Sequence, residues 1–181
     1  MDDERLELAS PAMRWEAAYL AFIDDFEAAG EPRIPAGSGV ELARSDFAAF
    51  VQRLQDDERG ANLKPGIVPS SAYWLLRHDA DGTTVLGVSA LRHALTPALE
   101  DAGGHIGYSI RPSERRRSYG TRILALTLPH ARALGLERVL VTCDTDNTGS
   151  TRVIEKNGGA LASEGYSELI KTRVSRYWIT L

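Results

Sequence analysis

The stretch His105-Ile106-Gly107-Tyr108-Ser109-Ile110-Arg111-Pro112-Ser113-Glu114-Arg115-Arg116-Arg117-Ser118-Tyr119-Gly120-Thr121-Arg122-Ile123-Leu124 decides how this chain is read. It passes from an apolar alternating segment, through a turn with three successive arginines, into an apolar-periodic segment. That order predicts a strand feeding a helix through a basic, glycine-containing loop. Such a loop gathers backbone N–H groups at the positive end of the helix macrodipole, which suits a phosphate or pyrophosphate. A bare arginine run is equally what a solvated basic turn looks like, so the stretch needs partners elsewhere.

Downstream, the helix after Ser118 carries Ile123, Thr127, Ala131 and Leu134 on one face, and Pro129 within it predicts a kink or a broken turn. Arg138-Val139-Leu140-Val141-Thr142-Cys143 has the apolar, β-branched character of a strand buried on both faces. Strand, helix and strand then form a right-handed βαβ crossover. Asp144 to Thr148 is a polar turn opening a short helix to Lys156, ended by Asn157-Gly158-Gly159. Residues 160–164 and 172–180 read as two last strands, and the long final one offers an edge for pairing across a homodimer. Upstream, Tyr73–Leu76 and Thr84–Leu91 form a hairpin around Asp79-Ala80-Asp81-Gly82 and a meander with the His105 strand. Two amphipathic helices precede them. The first carries Met13, Ala17, Leu20, Ile23 and Phe26, and the second starts at Ser45 with Phe47, Phe50, Val51 and Leu54. Residues 31–40 and 60–71 read as loops. The sum is an α/β fold with a mixed, mostly antiparallel sheet and one parallel step at its middle.

Composition narrows the class. At 181 residues the chain fits one domain with a substantial core. A net charge of −4 argues against a general nucleic-acid binder and makes the arginine cluster a local device. The single Cys143 excludes intrachain disulfides and a cysteine-based metal site, in keeping with a reducing compartment. No stretch approaches the roughly 18 apolar residues of a membrane span, and Met1-Asp2-Asp3-Glu4-Arg5 lacks the order of a signal peptide. The expectation is a cytoplasmic protein without membrane or nucleic-acid partners.

Two phosphate-binding patterns fail on detail. A P-loop needs Lys then Ser/Thr after its last glycine, whereas Gly120 is followed by Thr121-Arg122. A dinucleotide fingerprint needs three spaced glycines, and the loop holds only Gly120. Arg115-x-x-Ser118-x-Gly120 instead resembles the Arg/Gln-x-x-Gly-x-Gly/Ala loop of the GNAT superfamily of N-acyltransferases. Gly104-His105-Ile106-Gly107-Tyr108-Ser109-Ile110-Arg111-Pro112 is similar to that family's fourth strand. Thr142 to Gly159, with Asp146-Asn147, Ser150 and Glu155-Lys156-Asn157-Gly158-Gly159, resembles its fifth strand and following helix. The resemblance runs from about Tyr73 to the C-terminus.

It implies a GNAT-like sheet with a splayed central parallel pair and helices on both faces. It also implies an acetyl-coenzyme A-dependent N-acetyltransferase without a metal, acting on a primary amine of a small molecule, amino acid or peptide by direct attack in a ternary complex. Residues 1–71 would form a helical acceptor-side part, 72–159 the coenzyme A-binding core and 160–181 the C-terminal strands. Arg115, Arg116, Arg117, Ser118, Tyr119, Gly120 and Thr121 would cradle the pyrophosphate. Ser109, Ile110, Asn147 and Ser150 would line the pantetheine slot, with Tyr108 beside them. The oxyanion donor would be a main-chain N–H near Ile110, freed by a bulge at Gly107.

Acyl transfer also needs a neutral amine, and His105 stands where many relatives carry a glutamate before the Ile-Gly-Tyr-like segment. A histidine pKa near 6.5 suits a base, although a strand-bound structural histidine fits the position too. Ser118 occupies the place of the family's commoner first glycine, which a negative φ would accommodate. The family's tyrosine before Glu-Lys, which protonates the leaving thiolate, is Ile154 here. The acid is left open among Tyr108, Tyr166, Tyr177 and solvent. That departure also supports a rival reading, a coenzyme A-binding sensor without turnover.

Overall fold

A computed structural model describes residues 5–31, 39–80 and 82–181. In chain order it has β1 (Arg5–Ala9), α1 (Glu16–Ala28), α2 (Val40–Ser45), α3 (Phe47–Arg59), β2 (Ser70–Asp79), β3 (Gly82–Arg92), α4 (Pro97–Asp101), β4 (Ile106–Ile110), α5 (Tyr119–Ala133), β5 (Arg138–Asp144), α6 (Thr148–Lys156), β6 (Ala160–Ser167) and β7 (Thr172–Thr180). The mixed α/β class is as expected. Among the described residues no helix is long and apolar enough to cross a membrane.

The strands form two antiparallel sheets, β1-β2-β3-β4 and β5-β7-β6. The expected meander is β2–β3–β4, extended at its outer edge by β1, which was not anticipated. The two sheets meet where β4 and β5 begin. His105 N–H donates to Leu140 C=O at 2.7 Å, and Leu140 N–H donates to His105 Nδ1 at 2.9 Å. No ladder joins β4 to β5 beyond that point, so the parallel step is a splay, closed at one end. β7 lies between β5 and β6 and has no open edge. The homodimer pairing expected of it therefore lacks an edge, which β6 holds instead.

Gly104 makes the join possible. Its φ is +62°, and a Cβ there would stand 2.4 Å from the Leu140 carbonyl oxygen, backbone that cannot move without opening the join. Gly104→Ala combines left-handed strain with overpacking and should cost roughly 2–4 kcal/mol. A lowered midpoint in thermal unfolding would show it, and an unchanged midpoint would contradict it.

Helices cover both faces of the first sheet. α1 and α3 bury Phe22, Ile23, Phe26, Phe47 and Phe50 against Trp74, Leu76, Val85 and Val88. α5 packs Tyr119, Ile123, Leu124 and Ala131 on the other face, against Leu75, Leu86, Leu91 and Ile106, and reaches Val139 and Val141 of the second sheet. Each such fully buried apolar side chain contributes about 1.5–3 kcal/mol, so α5 is the main apolar fastening between the sheets. Trp74 stacks on Tyr19 at 4.4 Å and belongs to this core.

Some boundaries differ from expectation. The helix expected from Ser45 is α3, which starts two residues later at Phe47, and the short α2 ahead of it was not expected. α2 ends at Ser45, and the Asp46 side chain accepts from Ala49 N–H at 2.9 Å to cap α3. α5 runs through Pro129 without the broken turn that was one of the two expectations there, at the loss of one backbone bond. Of the loop expected at 31–40, residues 32–38 lie outside the described residues, as does Asp81 of the β2–β3 turn, whose flanks Asp79 and Gly82 pair.

Candidate active site

The basic loop is tied down before it meets any ligand. Arg115 makes a bidentate pair with Glu31, just past the end of α1, and its Nε donates to Ile110 C=O at 3.2 Å. That pairing with Arg115 also draws the Glu31 carboxyl below its ordinary pKa. Arg117 pairs with Glu114. Arg116 and Ser118 both take left-handed backbone, at φ +61° and +64°. The negative φ expected at Ser118 is thus corrected, because the serine adopts the conformation of the glycine it replaces, at roughly 1–2 kcal/mol of strain. Its hydroxyl makes no capping bond. Two left-handed residues just ahead of the first turn of α5 fold the loop into the kind of turn whose N–H groups make an anion nest, beside the positive end of the helix.

β4 presents its backbone to the splay. Arg92 N–H bonds His105 C=O, and Arg111 N–H bonds Leu86 C=O at the far end of the strand. The antiparallel alternation between them leaves Ile106, Tyr108 and Ile110 with N–H and C=O pointing away from β3. The register runs evenly through Gly107, so the bulge expected there is absent. Ordinary alternation frees the Ile110 N–H, and the sheet's register shift lies between β2 and β3, where Leu86 is the extra residue opposite Leu75 and Leu76.

α6 supplies the opposite wall. The Asn147 side chain accepts from Ser150 N–H at 3.0 Å, so it is an N-cap. Ser150 Oγ shares a 2.8 Å hydrogen bond with the Tyr108 hydroxyl across the gap. Burial pushes the Tyr108 phenol up to about 12, opposed by that bond. Cys143 sits nearby with its thiol pushed up by burial, which makes it a poor nucleophile. Ile154 is fully buried in the core, so the place of the family's tyrosine does not face the cleft.

Two cavities open in the splay. The larger, about 770 Å³, is bounded by the end of β4, the basic loop, the start of α5 and α6. It brings together Tyr108, Ser109, Ile110, Arg115, Arg116, Ser118, Tyr119, Gly120, Thr121, Asn147 and Ser150. Arg117 is left outside. Gly120 faces the Val153 side chain so closely that a Cβ would come within 3.1 Å of it. The smaller cavity, about 300 Å³, opens between Arg92, Gly107, Thr142, Cys143 and Asp144. Tyr108, Ser109, Asn147 and Ser150 line both and form the neck between them.

His105 is not placed for the role expected of it. It is buried, lines neither cavity, and commits Nδ1 as acceptor to Leu140 N–H. The neutral ring then carries its proton on Nε2 and has no spare lone pair. Burial, with Arg92 adding to it, holds its pKa below the ordinary value. The geometry makes it a strand tie. Six residues that line the larger cavity, Glu31, Glu114, Gly149, Arg152, Val153 and Lys156, were not among the expected site residues. Arg152 and Lys156 stand four apart on the helix that also carries Ser150, a spacing that was there to be read.

The family model for the acetyltransferase (GNAT) domain matches residues 16–160, and the chain belongs to that family. None of the curated proteins matches it. Among solved structures it is similar to the ribosomal-protein-S5-alanine acetyltransferase of Vibrio fischeri, with a TM-score of 0.72 and 13% identity over 99% of this chain and 95% of that one. It is also similar to the microcin C7 self-immunity acetyltransferase MccE in complex with acetyl-CoA and AMP, with a TM-score of 0.69 and 14% identity over 99% and 94% of the chains. RimJ of Mycobacterium smegmatis in complex with CoA-disulfide gives 0.68 and 20% identity over 97% and 81%. At such identities the likeness speaks for the fold.

Proposed function

We propose that the protein is an acetyl-coenzyme A-dependent N-acetyltransferase that acetylates a primary amine of a small molecule, amino acid or peptide by direct attack in a ternary complex. The observation that carries this is the pair of cavities joined at the Tyr108–Ser150 neck. One suits a long, anionic donor and the other admits an acceptor to the same reacting carbon. The pyrophosphate would lie on the nest at Ser118–Gly120 and the pantetheine arm between Ile110 and Asn147. The Ile110 N–H would meet the thioester oxygen as charge develops there, a contact worth about 3–4 kcal/mol in comparable sites.

Deprotonating an amine of lysine-like pKa at pH 7 costs roughly 4–5 kcal/mol. His105 is committed elsewhere, so the proton leaves through water on the side of the smaller cavity, where Asp144 offers a carboxylate. The Tyr108–Ser150 hydroxyl pair stands at the neck and returns a proton to the departing thiolate. Tyr108→Phe should therefore lower kcat by about 10–100-fold with little change in KM for acetyl-coenzyme A. An unchanged kcat would assign protonation to solvent.

Free-thiol release from acetyl-coenzyme A over a panel of polyamines, amino acids and peptide N-termini tests the whole reading. Acceptor-dependent release supports it. Tight binding with no release from any acceptor would favour the sensor reading, to which the burial of Ile154 lends support.

A further inference from the structure

We infer that the smaller cavity selects an acceptor carrying a carboxylate beside its amine, a free amino acid, with Arg92 taking the carboxylate and Asp144 facing the ammonium. This rests on the acetyltransferase reading above and narrows its acceptor. Arg92 and Asp144 are the two charged residues that line this cavity of about 300 Å³.

Arg92 is a cation without a counter-ion. It is half-buried at the end of β3, and its Nη1 donates to Gly103 C=O at 2.9 Å and to Gly104 C=O at 3.0 Å. Both acceptors are neutral, and no carboxylate pairs with it among the described residues. Arg77, Arg111 and Arg176, also half-buried, each pair with one. Burial draws the Arg92 pKa below its ordinary value, and no acid offsets the effect. Its Nε and Nη2 make no hydrogen bond among the described residues. These two donors form an edge of the guanidinium fork that matches a carboxylate, and such a partner would relieve the uncompensated charge.

The space beside the fork is kept open by Gly107. Both Nη atoms stand 3.9 Å from where a Cβ at that residue would lie, so a larger side chain would crowd the guanidinium. Gly107 makes no bulge, and this clearance gives it a purpose. On the other side, Gly103 N–H donates to Thr142 Oγ1 at 2.8 Å. Thr142 and Asp144 share one face of β5, about 7 Å apart along the strand. The Asp144 side chain has no partner of its own among the described residues. Two opposite charges, unpaired with each other across a cavity at the small end of the ligand range, match a small zwitterion. A polyamine would bring a second cation to Arg92. A peptide N-terminus would put a neutral amide where the carboxylate belongs.

The test is kcat/KM, by free-thiol release from acetyl-coenzyme A, for the common L-amino acids and their amides, with spermidine and short peptides beside them. The best free amino acid should exceed its own amide by about 10–100-fold. Amine reactivity alone predicts the reverse, because a neighbouring carboxylate favours the protonated amine. In Arg92→Gln, which keeps a donor for the Gly103 and Gly104 carbonyls, the ratio should fall towards one through a raised KM for the amino acid. Arg92→Lys, with a charge but no fork, should lie between. A ratio of one or less in the unaltered protein, or faster turnover of spermidine or peptides, overturns the subsite and leaves the acetyltransferase reading intact. An undiminished ratio in both variants removes Arg92 from it. No acceptor-dependent release from any compound overturns both readings.

Discussion

Gly120→Glu should weaken acetyl-coenzyme A binding by at least about 100-fold, close to 3 kcal/mol, and leave the unfolding midpoint of the free protein within roughly 4 °C. Gly120 lies in the first turn of α5, walls the larger cavity, and has Val153, Ile110 and Tyr108 as its neighbours. A glutamate there puts bulk and a negative charge at the helix N-terminus. The local N–H groups would be occupied by the protein's own carboxylate, and a pyrophosphate would meet repulsion instead of a donor set. The charge separates this from plain crowding, so Gly120→Gln, of similar size, should lose distinctly less affinity. Calorimetry on both variants checks the placement. Undisturbed binding by Gly120→Glu would move the pyrophosphate elsewhere.

His105→Ala should lower stability by roughly 2–4 kcal/mol, through a buried Leu140 N–H left without its acceptor and a cavity in place of the ring. For a chain of this size that is a midpoint drop of roughly 5–15 °C. The same residue gives the protein an acid sensitivity of definite sign. Its folded pKa lies below the unfolded value, so the unfolded chain binds more protons between the two. The contribution is fully present above about pH 6.5 and is lost as pH falls from there through the folded pKa. In unfolding scans from pH 8 to 5, the variant should show a weaker decline than the parent. A parallel decline in both would mean that the ring does not carry the effect. If His105 were instead the base, the variant would retain its stability and lose turnover mainly at low pH.

How much of this was legible in the sequence depends on the range of the contacts involved. The β4–loop–α5 unit was readable because its alternation, turn chemistry and helical period are local and agree with one another. Asn147 and Ser150 were readable for the same reason, as a polar helix start after an apolar strand. β1 was not, because Arg5 to Ala9 gives only two alternations and its partner lies some seventy residues away, Leu6 opposite Arg77 and Leu8 opposite Leu75. α2 and α4 are a turn or so long and lean on Asp46 and Thr96 as end signals more than on any period. The role of His105 depends on Leu140, 35 residues on, and local pattern cannot distinguish a catalytic imidazole from one that ties two strands. The left-handed Ser118 is likewise held by its surroundings, since serine by itself disfavours that backbone.

The single junction at His105 and Leu140 also acts as a fulcrum. From it to Tyr108 is three strand residues, about 10 Å. A rotation of roughly 5° between the two sheets at that point would swing the wall opposite Ser150 by on the order of 1 Å, a misplacement that elsewhere costs about a hundredfold in rate. Residues far from any reacting atom, Gly104 and the α5 residues that clasp both sheets among them, thereby set the gauge of the channel in which the reaction runs.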